Sequence, residues 1–161
     1  SPTMPRNYAS TAPLLLPDPK FKSMLATKLI DKIMRDGKKT IAQAILYDAL
    51  DLASKKLPDV LNQEEIFTKA IENVKPSVEV RSKRVGGANY QVPREVKKGR
   101  QQSLAIRWLV DNARKKKGKP MAVRLSEELV DAFNGTGASV AWKEAVHKMA
   151  EANKAYAHYA R

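Results

Sequence analysis

The stretch VEVRSKRVGGANYQVPREV, residues 78–96, breaks an otherwise helical pattern and decides the fold. Val78 and Val80 alternate with Glu79 and Arg81, and Tyr90 and Val92 alternate with Asn89, Gln91 and Pro93. A period of two is the signature of a strand with one inward face. Gly86-Gly87 lies between the two runs, where a tight hairpin turn needs positive φ. The segment therefore predicts an antiparallel hairpin. No other part of the chain reads as strand, so the ribbon has two open edges. Pro93 suits an edge because it has no N–H to donate. Around the ribbon, Arg81, Lys83, Arg84, Arg94, Lys97 and Lys98 face only Glu79 and Glu95. So polar a ribbon buries little and is marginal alone. It predicts an arm that orders against a polyanion, with cations on phosphates and Asn89, Tyr90 and Gln91 on exposed bases. An ordinary surface hairpin with solvated charges would carry the same residues, and charge alone leaves both readings open.

Outward from the ribbon the period is helical. Upstream, Ile66, Phe67, Ala70, Ile71 and Val74 form an apolar stripe. Asn62, three residues before Glu65, gives a capping-box-like start for residues 63–74. Before that, residues 38–55 carry Ile41, Ala44, Ile45, Ala49, Leu52 and Ala53, and Pro58 stops them. Phe21, Met24, Leu25, Leu29, Ile30, Ile33 and Met34 mark a first helix, closed at Asp36-Gly37. Downstream, Leu104, Ala105, Trp108, Leu109 and Ala113 mark a fourth helix. Met121, Ala122, Leu125, Leu129, Ala132 and Phe133 mark a fifth. After the break at residues 134–137, Ser139 is placed to cap a last helix from Val140 toward Tyr156. The predicted fold class is mainly α: a bundle of about six helices with a protruding two-stranded β-hairpin arm between helices three and four. Pro2, Pro5, Pro13, Pro17 and Pro19 make residues 1–19 an extended N-terminal tail. Residues 20–161 form a single helical domain that includes the arm at 78–96.

Composition narrows the function. The 161 residues hold 30 Lys and Arg against 17 Asp and Glu, a formal charge of +13. Such an excess adds nothing to fold stability and is ordinarily tolerated for a polyanionic partner. Nucleic acid is the first candidate and an anionic membrane the second. The absence of cysteine removes disulfides, thiolate zinc sites and cysteine nucleophiles. No apolar run approaches the roughly 20 residues of a membrane-spanning helix. A membrane-surface helix needs a wide apolar face opposite cations, and the fourth helix matches only in part, since Trp108 is better used in the core.

The catalytic search is nearly empty. His147 and His158 stand eleven apart with no metal-binding context. No serine has a nucleophile elbow. Glu64-Glu65 and Glu127-Glu128 are adjacent pairs, which do not face each other on a helix. An enzyme, a metal and a cofactor are therefore not expected. The cations cluster instead. Gly37-Lys38-Lys39 puts two lysines at a helix start beside free N–H groups, a phosphate-binding arrangement, although a solvated turn would look the same. The upstream glycine and strand of a P-loop are missing. Arg100, Arg107 and Arg114, spaced by seven, share one helix face. Arg114 opens the basic run that continues through Lys115 to Lys119.

Several blocks point further. They are LPDP (16–19), DGKK (36–39), AILYDA (44–49), AIENVKP (70–76), VEV (78–80), RVGGANYQVP (84–93), IRWLV (106–110), Ala113-Arg114 and HKMAEANKAYAHY (147–159). In this order and spacing the chain resembles the ribosomal small-subunit protein seven family, of bacterial or organellar type, over nearly its whole length. The resemblance implies a structural, non-enzymatic protein that binds the 3′ major domain of small-subunit rRNA and nucleates head assembly. It implies rRNA contacts at Lys20, Lys22, Lys28, Lys38, Lys39, Lys97, Lys98, Arg100, Arg107, Arg114, Lys115 and Lys119. It places the hairpin near the messenger exit channel and the exit-site tRNA, through Arg81, Lys83, Arg84, Asn89, Tyr90 and Arg94. The C-terminal block, His147, Lys148, Asn153, Tyr156, His158 and Tyr159, would meet a neighbouring protein. The neighbours implied are ribosomal small-subunit proteins nine, eleven and thirteen, with no membrane and no homo-oligomer.

Departures from the family pattern bear on compartment. Residues 1–16 carry only Arg6 where bacterial members have a basic tail. VAWKEAV (140–146) stands where they have a basic cluster, and Ala160-Arg161 replaces an aromatic ending. The changes in the tail and at 140–146 both weaken local RNA or neighbour contacts. Residues 1–13 also carry one Arg, no acid and several Ser, Thr and Ala, as an organellar presequence remnant would; a trimmed or disordered terminus reads the same. These features favour a mitochondrial ribosome, with plastid or bacterial cytoplasm as the alternatives. A free regulatory nucleic-acid-binding module is the competing class.

Overall fold

The computed structural model describes residues 15–160, so the expectations for residues 1–13 and Arg161 lie outside the described residues. Six α-helices appear: α1 (Met24–Ile33), α2 (Lys39–Lys56), α3 (Gln63–Val74), α4 (Lys98–Lys115), α5 (Met121–Phe133) and α6 (Gly137–Ala152). A two-stranded antiparallel ribbon, β1 (Val78–Val85) and β2 (Ala88–Glu95), joins α3 to α4. A 3₁₀ segment, Lys154–Ala160, follows α6. The mainly α class and the position of the hairpin are thus as the periodicity predicts.

Local chemistry sets the boundaries. The Ser23 hydroxyl accepts the Ala26 N–H at 3.3 Å and starts α1. The Asn62 side chain accepts the Glu64 N–H at 2.9 Å and starts α3. Each satisfies one of the N–H groups that a helix start leaves unpaired. Asp36 (φ 55°) and Gly37 (φ 71°) turn the chain between α1 and α2 in the left-handed region.

The core is drawn from all six helices, and Phe67 is its largest fully buried side chain. Phe21 meets Phe67 and Tyr47 edge-on, at 5.5 and 5.8 Å between centroids, the geometry that aromatic quadrupoles favour. The α2 stripe is a correction. Ile41 and Ala44 are exposed, while Ala42, Leu46 and Leu50 are buried. That helix is apolar nearly all round, so spacing alone did not choose its inner face.

Polar side chains then close the helix ends from a distance. Asn73 donates to the carbonyls of Ala132 (2.8 Å) and Phe133 (3.2 Å), at the end of α5. Arg114 donates to the carbonyls of Ile33 (2.8 Å) and Lys32 (3.1 Å), at the end of α1. Arg124 donates to those of Lys116 (2.8 Å) and Arg114 (3.0 Å), at the end of α4. The last carbonyls of a helix lack intrahelical partners, so these contacts lock helices together at their termini. Asp18 does the same for the entry to α1. Its carboxylate accepts the N–H groups of Lys20 and Phe21 and, at 2.5 Å, the Tyr47 hydroxyl.

The ribbon pairs in register from Val78 opposite Glu95 to Val85 opposite Ala88, and turns at Gly86 (φ 57°) and Gly87 (φ 84°). Its root is buried: Glu79 is 8% exposed and Val92 3%. Its outer half is exposed, but it does not stand bare. The 3₁₀ segment lies along β2, with the Tyr90 ring 4.9 Å from that of Tyr156 and 5.2 Å from that of Tyr159. Lys83 Nζ donates to the Tyr159 carbonyl.

The last helix also departs from expectation. It starts at Gly137 and ends at Ala152. Ser139 is not its cap; it is fully buried, and its N–H (3.2 Å) and hydroxyl (2.9 Å) both donate to the Glu128 carboxylate. Asn153, at the C-cap, donates its side-chain amide back to the Met149 carbonyl and ends the α-helical turn before Tyr156.

Candidate nucleic-acid interface

Residues far apart in sequence come together beside the Gly37 turn. A cleft of about 410 Å³ is lined by Arg35, Asp36 and Lys38 from that turn and by Arg114 and Arg124 from α4 and α5, together with the apolar side chains of Ile41 and Met121. Arg114 loses part of its basicity first to burial and then to neighbouring Arg35. Asp111 offsets part of that loss and Asp36 lines the same cleft, but the cations outnumber the acids, and such crowding favours a further anion. Arg35 and Arg124 were not foreseen. Arg35 is simply the residue before Asp36-Gly37, and Arg124 reads as an ordinary surface cation of α5. Only the packing of α5 against α2 and α4 brings them to the turn. Lys38 and Lys39 are exposed at the start of α2, which has no side-chain cap; the Lys39 N–H is bonded to the Gly37 carbonyl at 3.0 Å, and those of Thr40 and Ile41 are left for an anion.

The three arginines spaced by seven divide into different tasks. Arg107 is exposed and borders a second groove with Lys28 and Lys32, between α1 and α4. Arg114 is the cap of α1 described above. Arg100 forms a two-pronged ion pair with Glu79, Nε to Oε2 at 2.7 Å and Nη2 to Oε1 at 3.0 Å. The Arg100 guanidinium, with Arg81 adding to it, holds the Glu79 carboxyl below its usual range against the opposing effect of burial. This pair fastens the root of the hairpin to α4.

The remaining predicted residues sort by what they touch. Lys22, Lys97, Lys98 and Lys115 are exposed and make no ion pair among the described residues. Lys20 lies over the Tyr47 and Phe21 rings, 4.8 and 5.4 Å from their centroids. Lys28 donates to Gln102 at 2.9 Å. Lys119 pairs with Glu127 at 2.7 Å and depresses its pKa. On the arm, Arg81, Arg84, Asn89 and Arg94 are exposed, with Arg81 3.4 Å from Glu79. Tyr90, expected to stack on a base, has its ring engaged by Tyr156 and Tyr159.

In the C-terminal block, His147 Nε2 accepts the Ser77 N–H at 3.1 Å, tying α6 to the start of the ribbon. Burial, and then Lys143, hold this imidazole below its ordinary pKa, in keeping with a neutral ring that accepts. Tyr159 lies against His158, with centroids 4.1 Å apart. Lys148 is exposed. Among the described residues no group of three His, Cys, Asp or Glu is placed to hold a metal, and no helix is long and apolar enough to cross a membrane.

Comparison with known proteins names the scaffold. Residues 5–154 match the family described as ribosomal protein S7p/S5e. The chain is 57% identical over 143 residues to the small ribosomal subunit protein uS7 of Fervidobacterium nodosum, covering 89% of this chain and 91% of that one. It is 52% identical over 158 residues to the uS7 of Chloroflexus aggregans, covering 98% and 99%. The uS7 of Syntrophus aciditrophicus is 48% identical over 156 residues, covering 97% and 99%. These relatives are bacterial, which corrects the mitochondrial expectation and fits its bacterial alternative. The internal change that prompted it has a local explanation: Val140 and Val146 are buried in α6 while Ala141, Trp142 and Glu144 are exposed, the pattern of an amphipathic helix in any compartment. The matched family is one of structural, non-enzymatic proteins, and this chain belongs to it: the ribosomal protein S7p/S5e family.

Proposed function

We propose that the chain is a structural constituent of the small ribosomal subunit of a bacterial-type ribosome. It acts as a primary binder of the 3′ major domain of the rRNA and nucleates the head, with residues 20–161 as one rRNA-binding unit. The observation that carries this reading is the convergence of Arg35, Lys38, Arg114 and Arg124 on one cleft in a chain of formal charge +13. Neutralising such a cluster is what an RNA backbone supplies. Lys22, Lys97, Lys98 and Arg107 extend the contact outward. The hairpin, through Arg81, Arg84, Asn89 and Arg94, lies near the messenger exit channel and the exit-site tRNA. Proteins nine, eleven and thirteen are its neighbours, with the C-terminal block on the side of protein eleven.

The test is gradient sedimentation of a cell extract joined to titration with a transcript of the 3′ major domain. Co-migration with small subunits is expected. The affinity should fall with salt along a log–log slope of roughly −0.7 to −0.9 per phosphate neutralised. A soluble pool that binds a specific messenger and ignores rRNA would replace this reading with a free regulatory module.

A further inference from the structure

The block VAWKEAV, which replaces an expected basic cluster, builds a feature of its own. Trp142 on α6 is 47% exposed, an unusual cost for an indole on a surface helix. Its ring stands edge to face with that of Trp108 on α4, at 6.4 Å and 86°. Between the two helices runs an open groove of about 560 Å³, floored by Ala138 and Ala141 and rimmed by Asp111 and Lys115. Its lining is mainly apolar, with Asp111, Asn112 and Lys115 as the polar members.

Charge identifies the occupant. Asp111 makes no hydrogen bond or ion pair among the described residues, and neither does Lys115. A carboxylate in the groove repels a phosphate but accepts an N–H from a base edge. An exposed lysine at the rim, one residue into the basic run 114–119, attracts the phosphate that the groove rejects. The order apolar ring, acceptor, cation matches base, base edge and backbone of one nucleotide. We propose that the Trp108–Trp142 groove holds one unpaired RNA nucleotide, its base stacked on Trp142, its edge toward Asp111 and its phosphate on Lys115. This deepens the rRNA-binding reading and rests on it. The local loss of cations is then a change in the mode of contact, from phosphate attraction to stacking.

The chain's two tryptophans both line this groove, so tryptophan emission, excited beyond the tyrosine absorption band, reports on it. Hexa-adenylate should quench that emission saturably, and a hexamer of abasic ribose phosphates with equal charge should not. Trp142→Ala, read through Trp108, should weaken hexa-adenylate binding roughly five- to hundredfold, and Trp142→Phe should restore most of it. Trp142 is half exposed, so these variants keep the fold, and circular dichroism checks that. Equal quenching by the abasic hexamer, or unchanged binding by Trp142→Ala, overturns the proposal. So does quenching by decaproline with hexa-adenylate inert, which assigns the groove to a protein partner. A parallel titration with the 3′ major domain transcript separates the two readings. If parent and Trp142→Ala bind it alike, only the groove assignment falls; if the parent does not bind it, the rRNA-binding reading falls as well.

Discussion

Replacing Arg100 by alanine tests which of the basic residues hold the protein together. Arg100 is among the residues expected to contact rRNA, yet its guanidinium engages Glu79 with two short hydrogen bonds, 2.7 and 3.0 Å. Removing it leaves a carboxylate 8% exposed with only Arg81 beside it, at 3.4 Å. Breaking a fully buried pair costs about 3–5 kcal/mol, and an exposed pair is worth about 0–1 kcal/mol. The Arg100 side chain is 39% exposed and that of Glu79 11%, so a loss of about 2 kcal/mol is expected. At roughly 2–4 °C per kcal/mol for a chain of this size, Tm should fall by about 4–8 °C.

The loss depends on pH with a definite sign. The hydrogen bond from Arg100, against the pull of burial, holds the folded Glu79 below its ordinary 4.5. The stabilisation is therefore complete above about pH 4.5 and disappears as pH falls through the lower, folded value. Urea denaturation at pH 7 and again below pH 4 measures both parts, and the gap between parent and variant should close in acid. The double substitution Glu79→Leu, Arg100→Leu should recover much of the loss, because it leaves no unpaired charge. A destabilisation under about 0.5 kcal/mol, or one equal at both pH values, would refute the assignment of this pair as the anchor of the hairpin.

Other outcomes follow from the same contacts. Tyr47 is pushed up to about 12 by burial and by its bond to Asp18, so its contribution to stability holds below pH 10 and is lost as pH rises toward 12. An ultraviolet titration should show a late-titrating component that is lost in Tyr47→Phe. His147 has a depressed pKa, so its contribution is present above about pH 6.5 and lost as pH falls through the folded value; the protection of the Ser77 N–H, relative to its intrinsic exchange rate, should fall over that range. Gly137 has φ 92°, and a Cβ there would lie 2.6 Å from Asp131 Cβ. Gly137→Ala should therefore cost at least about 2 kcal/mol, whereas Gly99→Ala, in open space within α4, should add up to about 1 kcal/mol, both read from denaturant midpoints. Replacing Arg81, Arg84 and Arg94 together by alanine should leave helicity unchanged and make the salt slope of RNA binding shallower by roughly 2–3; an unchanged slope removes the arm from the RNA contact.

The covering of the hairpin by the chain's own end changes how the arm is understood. A ribbon too polar to bury itself was expected to wait for RNA. Instead Tyr90 packs with Tyr156 and Tyr159, and Lys83 is tied to the Tyr159 carbonyl. The aromatic residues of the C-terminal block, expected to face a neighbouring protein, serve first to stiffen the arm.

Local pattern was enough for the order of elements. Ile66, Phe67, Ala70, Ile71 and Val74 face inward as their spacing demands, Asn62 caps α3, and Gly86-Gly87 turns the ribbon, because each depends on neighbours within a few positions in the chain. The count of cations and the family blocks were likewise legible, since neither needs coordinates. What each cation does was decided only by tertiary structure. Arg100, Arg107 and Arg114 look alike at intervals of seven, but one meets Glu79 across the hairpin root, one caps α1 and one faces solvent. Arg124 joins the Gly37 turn although α2, α3, the whole ribbon and α4 lie between them in sequence. An ion pair or a helix cap is set by distances of about 3 Å between groups that folding brings from tens of residues away, and no spacing along the chain encodes that distance.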